Sequence, residues 1–353
     1  MFREQPSQIL ALRRQQFQQP KLVNIGGRPV IVTNLTRNAT TRAESIKLAL
    51  AFAAIYLVWG STYLAIRYAV ETIPPLVTAG IRHSVAGVVL LTWACLRGYR
   101  PKREHWFAGM IIGGLFFLIG HGTLHWAEQH VASGLAALLI ATEPMFILVL
   151  AWLSGQQRIS RMSALGLSVG IVGVSILTGV ELSSKDTTLI GILAVLLGSL
   201  SWSVGVVIAP KLKLPSDALA RTAVPVICGA AMLLVAAAVT GEFRALHWSA
   251  VSLKSIFGLG YLILFGSIVA FTAYTWLLQR CPPTVVATHT YANPVVAVLL
   301  GWLLAGEALT MRVGLASVAI LGAIMLIRRG EQETEQPVVS AEPANVKSQA
   351  RCA

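Results

Sequence analysis

One stretch of the chain constrains its fold more than any other. Residues 189–208, LIGILAVLLGSLSWSVGVVI, contain no charged side chain. A helix of this length, at about 1.5 Å per residue, spans about 30 Å, the hydrocarbon thickness of a bilayer. Only 12% of the 353 residues are charged and 55% are hydrophobic, whereas a soluble domain carries about 25% charged residues. The sequence therefore predicts an integral membrane protein in contact with the lipid bilayer.

Apolar segments recur along the chain at spacings that predict ten transmembrane helices. Turn and charge signals separate these segments, for example Pro74-Pro75 and the basic run from Arg97 to Arg103. The fold class is therefore expected to be all-α. Windows of about 19 residues place the helices at 46–66, 75–95, 106–126, 131–153, 162–180, 189–208, 218–240, 256–278, 283–304 and 309–327.

Lysine and arginine counts predict the orientation of these helices. The N-terminal segment, every second loop and the C-terminal tail together hold 22 basic residues, and the opposite loops hold 4. Because basic residues concentrate on the cytoplasmic side, both termini are expected in the cytoplasm. Much of the net charge of +13 falls in tails and short loops, so nucleic acid is not expected as a partner. We expect disordered tails at 1–45 and 329–353, and whether 1–45 is a genuine part of the protein is left open.

The chain contains an internal repeat. A shift of 150 residues places Pro144 on Pro294, and a weaker match sets Trp59 against Trp202. A repeat unit of five helices is odd, so two units in series cross the membrane in opposite senses, which is the inverted repeat typical of secondary transporters. The two predicted repeats are 46–180 and 188–328.

Each repeat carries a proline deep inside a predicted transmembrane helix. Pro144 and Pro294 each remove a helical hydrogen bond and free a carbonyl, which is tolerated where protein or a wet cavity surrounds it. Glu143 and Asn293 directly precede these prolines. The pattern predicts helix breaks at both prolines and a polar cavity at mid-depth.

Six further motifs lie in these helices. They are VWGSTYLAIR (Val58 to Arg67), PPLVTAGIR (Pro74 to Arg82), AEQHVASGLAALLIAT (Ala127 to Thr142), GSLSW (Gly198 to Trp202), LFGSIVAFTAY (Leu264 to Tyr274) and YANPVVAVLLG (Tyr291 to Gly301). Together they resemble EamA domains of the drug/metabolite transporter superfamily, closest to its bacterial YedA-type members. The resemblance implies a ten-helix exporter or permease of the bacterial inner membrane, with a central cavity lined by both halves. It also implies small metabolites as substrates, such as amino acids, amines or drugs.

Ionisable side chains inside the predicted helices need a partner or a role, because each costs about 2.5–3.5 kcal/mol to insert. Glu143 is interpreted as a site that binds a coupling proton or a substrate amine. The alternatives are a structural ion pair with Arg82 and a neutral carboxyl bonded to backbone. Glu128 and Glu307 lie at equivalent helix ends, and for both we expect a solvated gate or a loop anchor.

Aromatic and polar side chains of the same helices are candidates for a substrate-binding surface. Trp59 and Tyr63 share one helical face, and Trp202 occupies the position equivalent to Trp59. Such rings stack on organic substrates or hold cations, and the alternative is packing against lipid or core. The candidate substrate-binding residues are Trp59, Tyr63, Glu143, Trp202, Tyr274, His289, Tyr291 and Asn293.

Three further residues, His121, His125 and Glu128, share a helical face with spacing compatible with a metal ion. Intramembrane histidines are more often hydrogen-bonded core or pathway residues, so neither a metal nor a cofactor is expected. An intramembrane enzyme that uses these three residues is one rival hypothesis.

These features predict a secondary transporter that works by alternating access, not an enzyme. The resemblance alone implies that it moves small metabolites outward. Protons are the candidate coupling ion. No G-x4-G-K-[ST] motif occurs, so direct coupling to ATP is not expected. An importer or exchanger of the same fold and a channel remain alternatives, and a monomer and a homodimer are both left open.

Overall fold

The computed structural model describes residues 21–25, 28–32, 42–181, 189–278, 280–281, 286 and 288–335. The chain divides into two units, Met1–Ala49 and Leu50–Ala353. Within the first unit, strands β1 (Lys21–Ile25) and β2 (Arg28–Val32) pair antiparallel, with Lys21 opposite Val32. These strands lie where the sequence predicts a disordered tail.

The rest of the described chain is helical, which confirms the predicted fold class. Two shorter apolar stretches of helix in this part are Arg161–Ile176 and His289–Ala305. They occupy the places of the predicted fifth and ninth helices, and the ten helices are named spans 1 to 10 in chain order. Eight of the described helices are long and apolar enough to cross a membrane: Glu44–Val70, Pro75–Leu96, Arg103–Ala127, Ser133–Leu153, Leu189–Lys211, Ala218–Val239, Leu253–Tyr274 and Met311–Glu331.

Several helices extend past these limits. Span 5 is helical over Arg161–Glu181, and span 8 continues as Ala270–Leu278. Span 10 is helical over Met311–Glu335, so the predicted C-terminal tail begins as helix, and residues 336–353 lie outside the described part. Short turns connect the spans at Ala209–Lys211, Glu242–Ala245 and Trp248–Ala250.

Three spans contain π-helical segments, in which the backbone hydrogen bonds shift by one residue. They are Ala54–Val58 in span 1, Gly114–His121 in span 3 and Leu262–Val269 in span 8. The segments of spans 3 and 8 have eight residues each, and the first residues are 148 positions apart. Because π-helical turns are rare, this correspondence indicates that the two halves share their local backbone structure.

Helix packing follows a pattern that is preserved when the two halves are exchanged. Span 1 packs against spans 8 and 9, and span 6 packs against spans 3 and 4. Span 2 packs against spans 7 and 8, and span 7 packs against spans 2 and 3. Spans 5 and 10 pack against each other. The halves therefore meet along most of their length.

Glycines allow close approaches between the halves. A Cβ atom on Gly113 in span 3 would lie 2.6 Å from the carbonyl oxygen of Pro225 in span 7. A Cβ atom on Gly60 in span 1 would lie 2.6 Å from the Cβ atom of Val296 in span 9. Small residues allow such backbone contacts between membrane helices.

Apolar side chains both fill the centre of the bundle and cover its outside. The largest buried cluster includes Leu139, Ile192 and Leu262, from spans 4, 6 and 8. Val239 and Val318 are 82% and 73% exposed. Exposed apolar side chains of this kind are expected where a helix faces lipid.

Candidate substrate site between the halves

Span 4 is broken near its middle. One helix ends at Ile140 and the next begins at Glu143. Pro144 is the second residue of the second helix, a position whose N–H would have no helical acceptor in any case. The backbone carbonyl of Glu143 accepts a hydrogen bond from Ser203 Oγ of span 6 at 3.2 Å. The break therefore places Glu143 in the first turn of a half-helix that packs against the other half of the protein.

Pro294 does not interrupt its helix, so the expected second helix break is corrected. Pro294 lies inside His289–Ala305, a helix that packs against spans 1 and 4. The loss of one helical hydrogen bond is not enough to end a helix held on both sides. The side-chain amide of Asn293 is oriented with its nitrogen toward two backbone carbonyls. In this orientation the nitrogen donates to the carbonyls of Tyr56 at 3.3 Å and His289 at 3.0 Å. Asn293 therefore ties span 9 to span 1.

Trp59 is the centre of an aromatic group, the Trp59 cluster, formed with Phe271, Tyr274 and His289. The Trp59 ring centroid lies 5.7 Å from that of Phe271, 5.2 Å from Tyr274 and 4.8 Å from His289. Its indole N–H donates to the carbonyl of Gly266 at 3.1 Å, within the π-helical segment of span 8. Three predicted binding residues, from spans 1, 8 and 9, thus lie together between the halves.

Trp202 occupies an equivalent place in a second aromatic group, the Trp202 cluster, formed with Phe116, Phe117 and His121. The Trp202 ring stacks on Phe116 with centroids 4.0 Å apart, and on His121 with centroids 5.6 Å apart. Phe116, Phe117 and His121 all belong to the π-helical segment of span 3. Each of the two repeat-equivalent tryptophans therefore contacts the π-helical segment of the opposite half.

Glu143 is half-buried and faces several predicted binding residues. It lies within electrostatic range of Tyr63 in span 1, Tyr274 in span 8 and Arg328 in span 10. Arg328 also interacts with the hydroxyl of Tyr291. Arg328 directly follows the predicted last helix, 309–327, and basic residues are common at such positions. Its approach to Glu143 depends on how span 10 packs, and no local sequence signal indicates it.

Arg82 has a different partner from the one expected. Its side chain is 3% exposed, and Nε donates to Ser267 Oγ of span 8 at 3.0 Å. Its Nη1 atom is buried without a hydrogen-bond partner. The ion pairs of the described residues do not include Arg82 with Glu143. The predicted pair is corrected because the packing of span 2 against span 8 directs Arg82 to Ser267.

The histidines of span 3 do not assemble a metal site. Within the part of the chain that the structure describes, no three His, Cys, Asp or Glu side chains are placed to hold a metal ion. His121 lies 4.8 Å from His83 and 6.0 Å from His125 between ring centroids. Nδ1 of His125 is hydrogen-bonded to the backbone carbonyl of His121 at 2.7 Å. The imidazole rings of His83, His121 and His125 thus pack together, and sequence reasoning missed His83. The set His121, His125 and Glu128 does not form a metal centre.

Glu307 joins three spans at one end of the bundle. Its Oε1 atom accepts hydrogen bonds from the N–H of Ser133 at 2.7 Å and its hydroxyl at 2.8 Å, and lies 3.2 Å from Arg67 Nη1. Its Oε2 atom accepts from the N–H of Gly134 at 2.9 Å. Because Ser133 and Gly134 begin span 4, the carboxylate caps a helix N-terminus, where a negative charge is favourable. Glu307 is therefore placed to anchor spans 1, 4 and 9.

Two segments of the chain match the EamA-like transporter family, residues 46–179 and 189–329. The uncharacterized inner membrane transporter YedA of Escherichia coli K12 is 37% identical over 79% of this chain and 89% of its own length. The uncharacterized transporter YoaV of Bacillus subtilis is 26% identical over 80% of this chain and 94% of its own. The division between the two family matches falls between spans 5 and 6, as the predicted repeat requires.

A solved crystal structure has the same fold, with a TM-score of 0.56 and 20% sequence identity. The match covers 82% of this chain and 99% of that chain. The paired family matches, the similarity to YedA and the apolar helices lead to one assignment. The chain belongs to the EamA-like transporter family and is a multi-pass membrane transporter.

Proposed function

We propose that the protein is a secondary transporter of the inner membrane that exports small organic metabolites by alternating access. The observation that carries the proposal is the placement of Trp59 and Trp202, each against the π-helical segment of the opposite half. Secondary transporters bind substrate at such an interface between repeats, near the membrane midplane. The packing pattern, which is preserved when the halves are exchanged, supports an inverted repeat of five plus five helices.

The substrate contacts the Trp59 cluster together with Tyr63 and Glu143 in this proposal. An aromatic wall beside a carboxylate suits a small organic amine, because rings attract cations and a carboxylate accepts charge-assisted hydrogen bonds. Glu143 holds either the amine or the coupling proton. Trp202 forms the opposite wall, and Tyr291 lies at the side of the site near Arg328.

The end of the bundle that carries Glu307 is the outer end in this proposal. The basic loops with Arg97, Arg158 and Lys213 lie at the opposite end of their spans, and such loops concentrate in the cytoplasm. Substrate would therefore enter from the end near Arg328 and leave past Glu307. Both termini are then cytoplasmic.

Metabolite profiling of the growth medium tests the proposal. Cells that express wild-type protein should accumulate a small metabolite outside, and cells with Glu143→Gln should not. Glu104→Gln is the matched control, because Glu104 pairs with Lys213 at an exposed position and its loss should leave export unchanged. Both variants should reach the membrane in equal amounts.

Two results would overturn the proposal. If no compound accumulates, and proteoliposomes under an imposed proton gradient take up none of the amines and amino acids offered, the exporter assignment fails. If Glu143→Gln exports normally at every pH, the role of this carboxyl fails while the transporter assignment stands.

A further inference from the structure

A second buried carboxylate lies apart from Glu143, just after span 3. The side chain of Glu128 is 2% exposed, and neither of its oxygens has a hydrogen-bond partner. It lies beside the backbone of Arg67 and within electrostatic range of Glu307, Arg67 and Arg82. Burial of a charged group without hydrogen bonds is strongly unfavourable. Packing alone therefore does not explain a carboxyl at this position.

The charged and titratable groups around Glu128 come from four elements. From span 1, Arg67 is already paired with Glu307, which follows span 9, and Tyr63 lies within electrostatic range. From span 2, Arg82 donates to Ser267. On its own helix, His125 has a buried Nε2 atom without a hydrogen-bond partner. The side chains of Arg67 and Arg82 thus make their hydrogen bonds with Glu307 and Ser267, and not with Glu128.

Burial, together with the negative charge of Glu307, raises the pKa of Glu128 well above its usual range. The charge of Arg67, the backbone of Arg67 and the charge of Arg82 oppose the shift. The neutral acid is the form that a dry, unpaired environment favours. This direction agrees with the absence of hydrogen bonds to either oxygen in the described part of the chain.

We propose that Glu128 is a proton-binding site that competes with Glu307 for the guanidinium of Arg67. The inference rests on the proposed function in that the proton is taken as the coupling ion. With Glu128 protonated, Arg67 pairs with Glu307, as the structure has it. When the proton leaves, a second carboxylate stands beside Arg67, and the single positive charge is shared between two negative ones.

The position of the site connects proton binding to the broken helix. Glu307 caps the N-terminus of span 4 through Ser133 and Gly134, and the same span carries Glu143 in its second half. A change in the Arg67–Glu307 pair therefore acts directly on the end of span 4. Because spans 1, 3, 4 and 9 meet here, the charge of Glu128 biases contacts between the two halves.

Infrared spectroscopy of the purified full chain in lipid nanodiscs tests the site without any substrate. The probe is the carbonyl band of a protonated carboxylic acid, followed from pH 4 to pH 10 in a Glu143→Gln background. We expect a band that is lost only well above the usual range for glutamate and is absent when Glu128→Gln is added. Arg67→Gln should move the midpoint upward by about one pH unit or more, because it removes a cation that favours the ionised form.

The proposal is overturned if the band persists unchanged in Glu128→Gln, or if its midpoint does not move in Arg67→Gln. Should Glu128→Gln fail to fold, the midpoint shift in Arg67→Gln decides alone. Because no transport is measured, failure of this site and failure of the proposed function are distinguishable. A titrating Glu128 in a protein without pH-dependent flux would leave the proton site standing and overturn only the role of the proton as coupling ion.

Discussion

Removing the Glu307 carboxylate tests how the ends of spans 1, 4 and 9 are held together. In Glu307→Ala, the N–H groups of Ser133 and Gly134 lose their acceptor and Arg67 loses its ion-pair partner. Each buried donor left unpaired costs about 1–3 kcal/mol, so the loss of both acceptors should lower the free energy of unfolding by about 2–6 kcal/mol. The Arg67 guanidinium is about one-third exposed and contributes little more. Glu307→Gln keeps one acceptor oxygen, and about half of this loss is expected.

Thermal unfolding in detergent, followed by tryptophan fluorescence, measures the effect. Glu71→Ala is the matched control, because Glu71 pairs with Lys254 but is 40% exposed. Exposed pairs contribute about 0–1 kcal/mol, so Tm should stay within about 4 °C of the wild type. If Glu307→Ala and Glu71→Ala lowered Tm equally, the conclusion that the Glu307 cap on span 4 stabilises the protein would be refuted.

Two further predictions concern stability. Gly113→Ala should lower Tm, because the added Cβ would lie 2.6 Å from the Pro225 carbonyl oxygen and overpacking costs about 1–3 kcal/mol. Gly260→Ala is the control, because a Cβ at Gly260 would have no atom within 4 Å. Equal Tm values for the two variants would contradict the close contact at Gly113. Burial raises the pKa of Glu242 above 4.5, so its contribution to stability is largest below pH 4.5 and is lost as pH rises through the raised pKa. Glu242→Gln should flatten that decline in Tm, whereas Glu71→Gln should leave it unchanged.

The transmembrane helices could be predicted because their cause is local. A run such as 189–208 lacks charge whatever its neighbours are, and in lipid such a run satisfies its backbone hydrogen bonds only as a helix. The break of span 4 is local for the same reason, because Pro144 favours the start of a helix. Pro294 shows the limit of this argument, since its helix continues through the proline. Packing against spans 1 and 4 decides between the two outcomes.

The aromatic part of the candidate site was partly predictable. Trp59, Tyr274 and His289 were singled out by residue type and by motif, and they lie within 6 Å of one another between ring centroids. The π-helical segments that contact Trp59 and Trp202 have no local sequence signal, and only the packed helices show them.

The sequence by itself determined the membrane environment, the apolar helices, the two repeats and the residue types available at the site. Only the tertiary structure decided the surroundings of each charged side chain: Arg82 donates to Ser267, Glu143 lies within electrostatic range of Arg328, and Glu307 caps the start of span 4. These partners are far apart in the chain, 185 residues for Arg82 and Ser267 and 174 for Glu307 and Ser133. Hydropathy determines whether a segment enters the membrane as a helix. Which side chains face each other depends on the rotation and packing of each helix, and the packing of each helix depends on all the others.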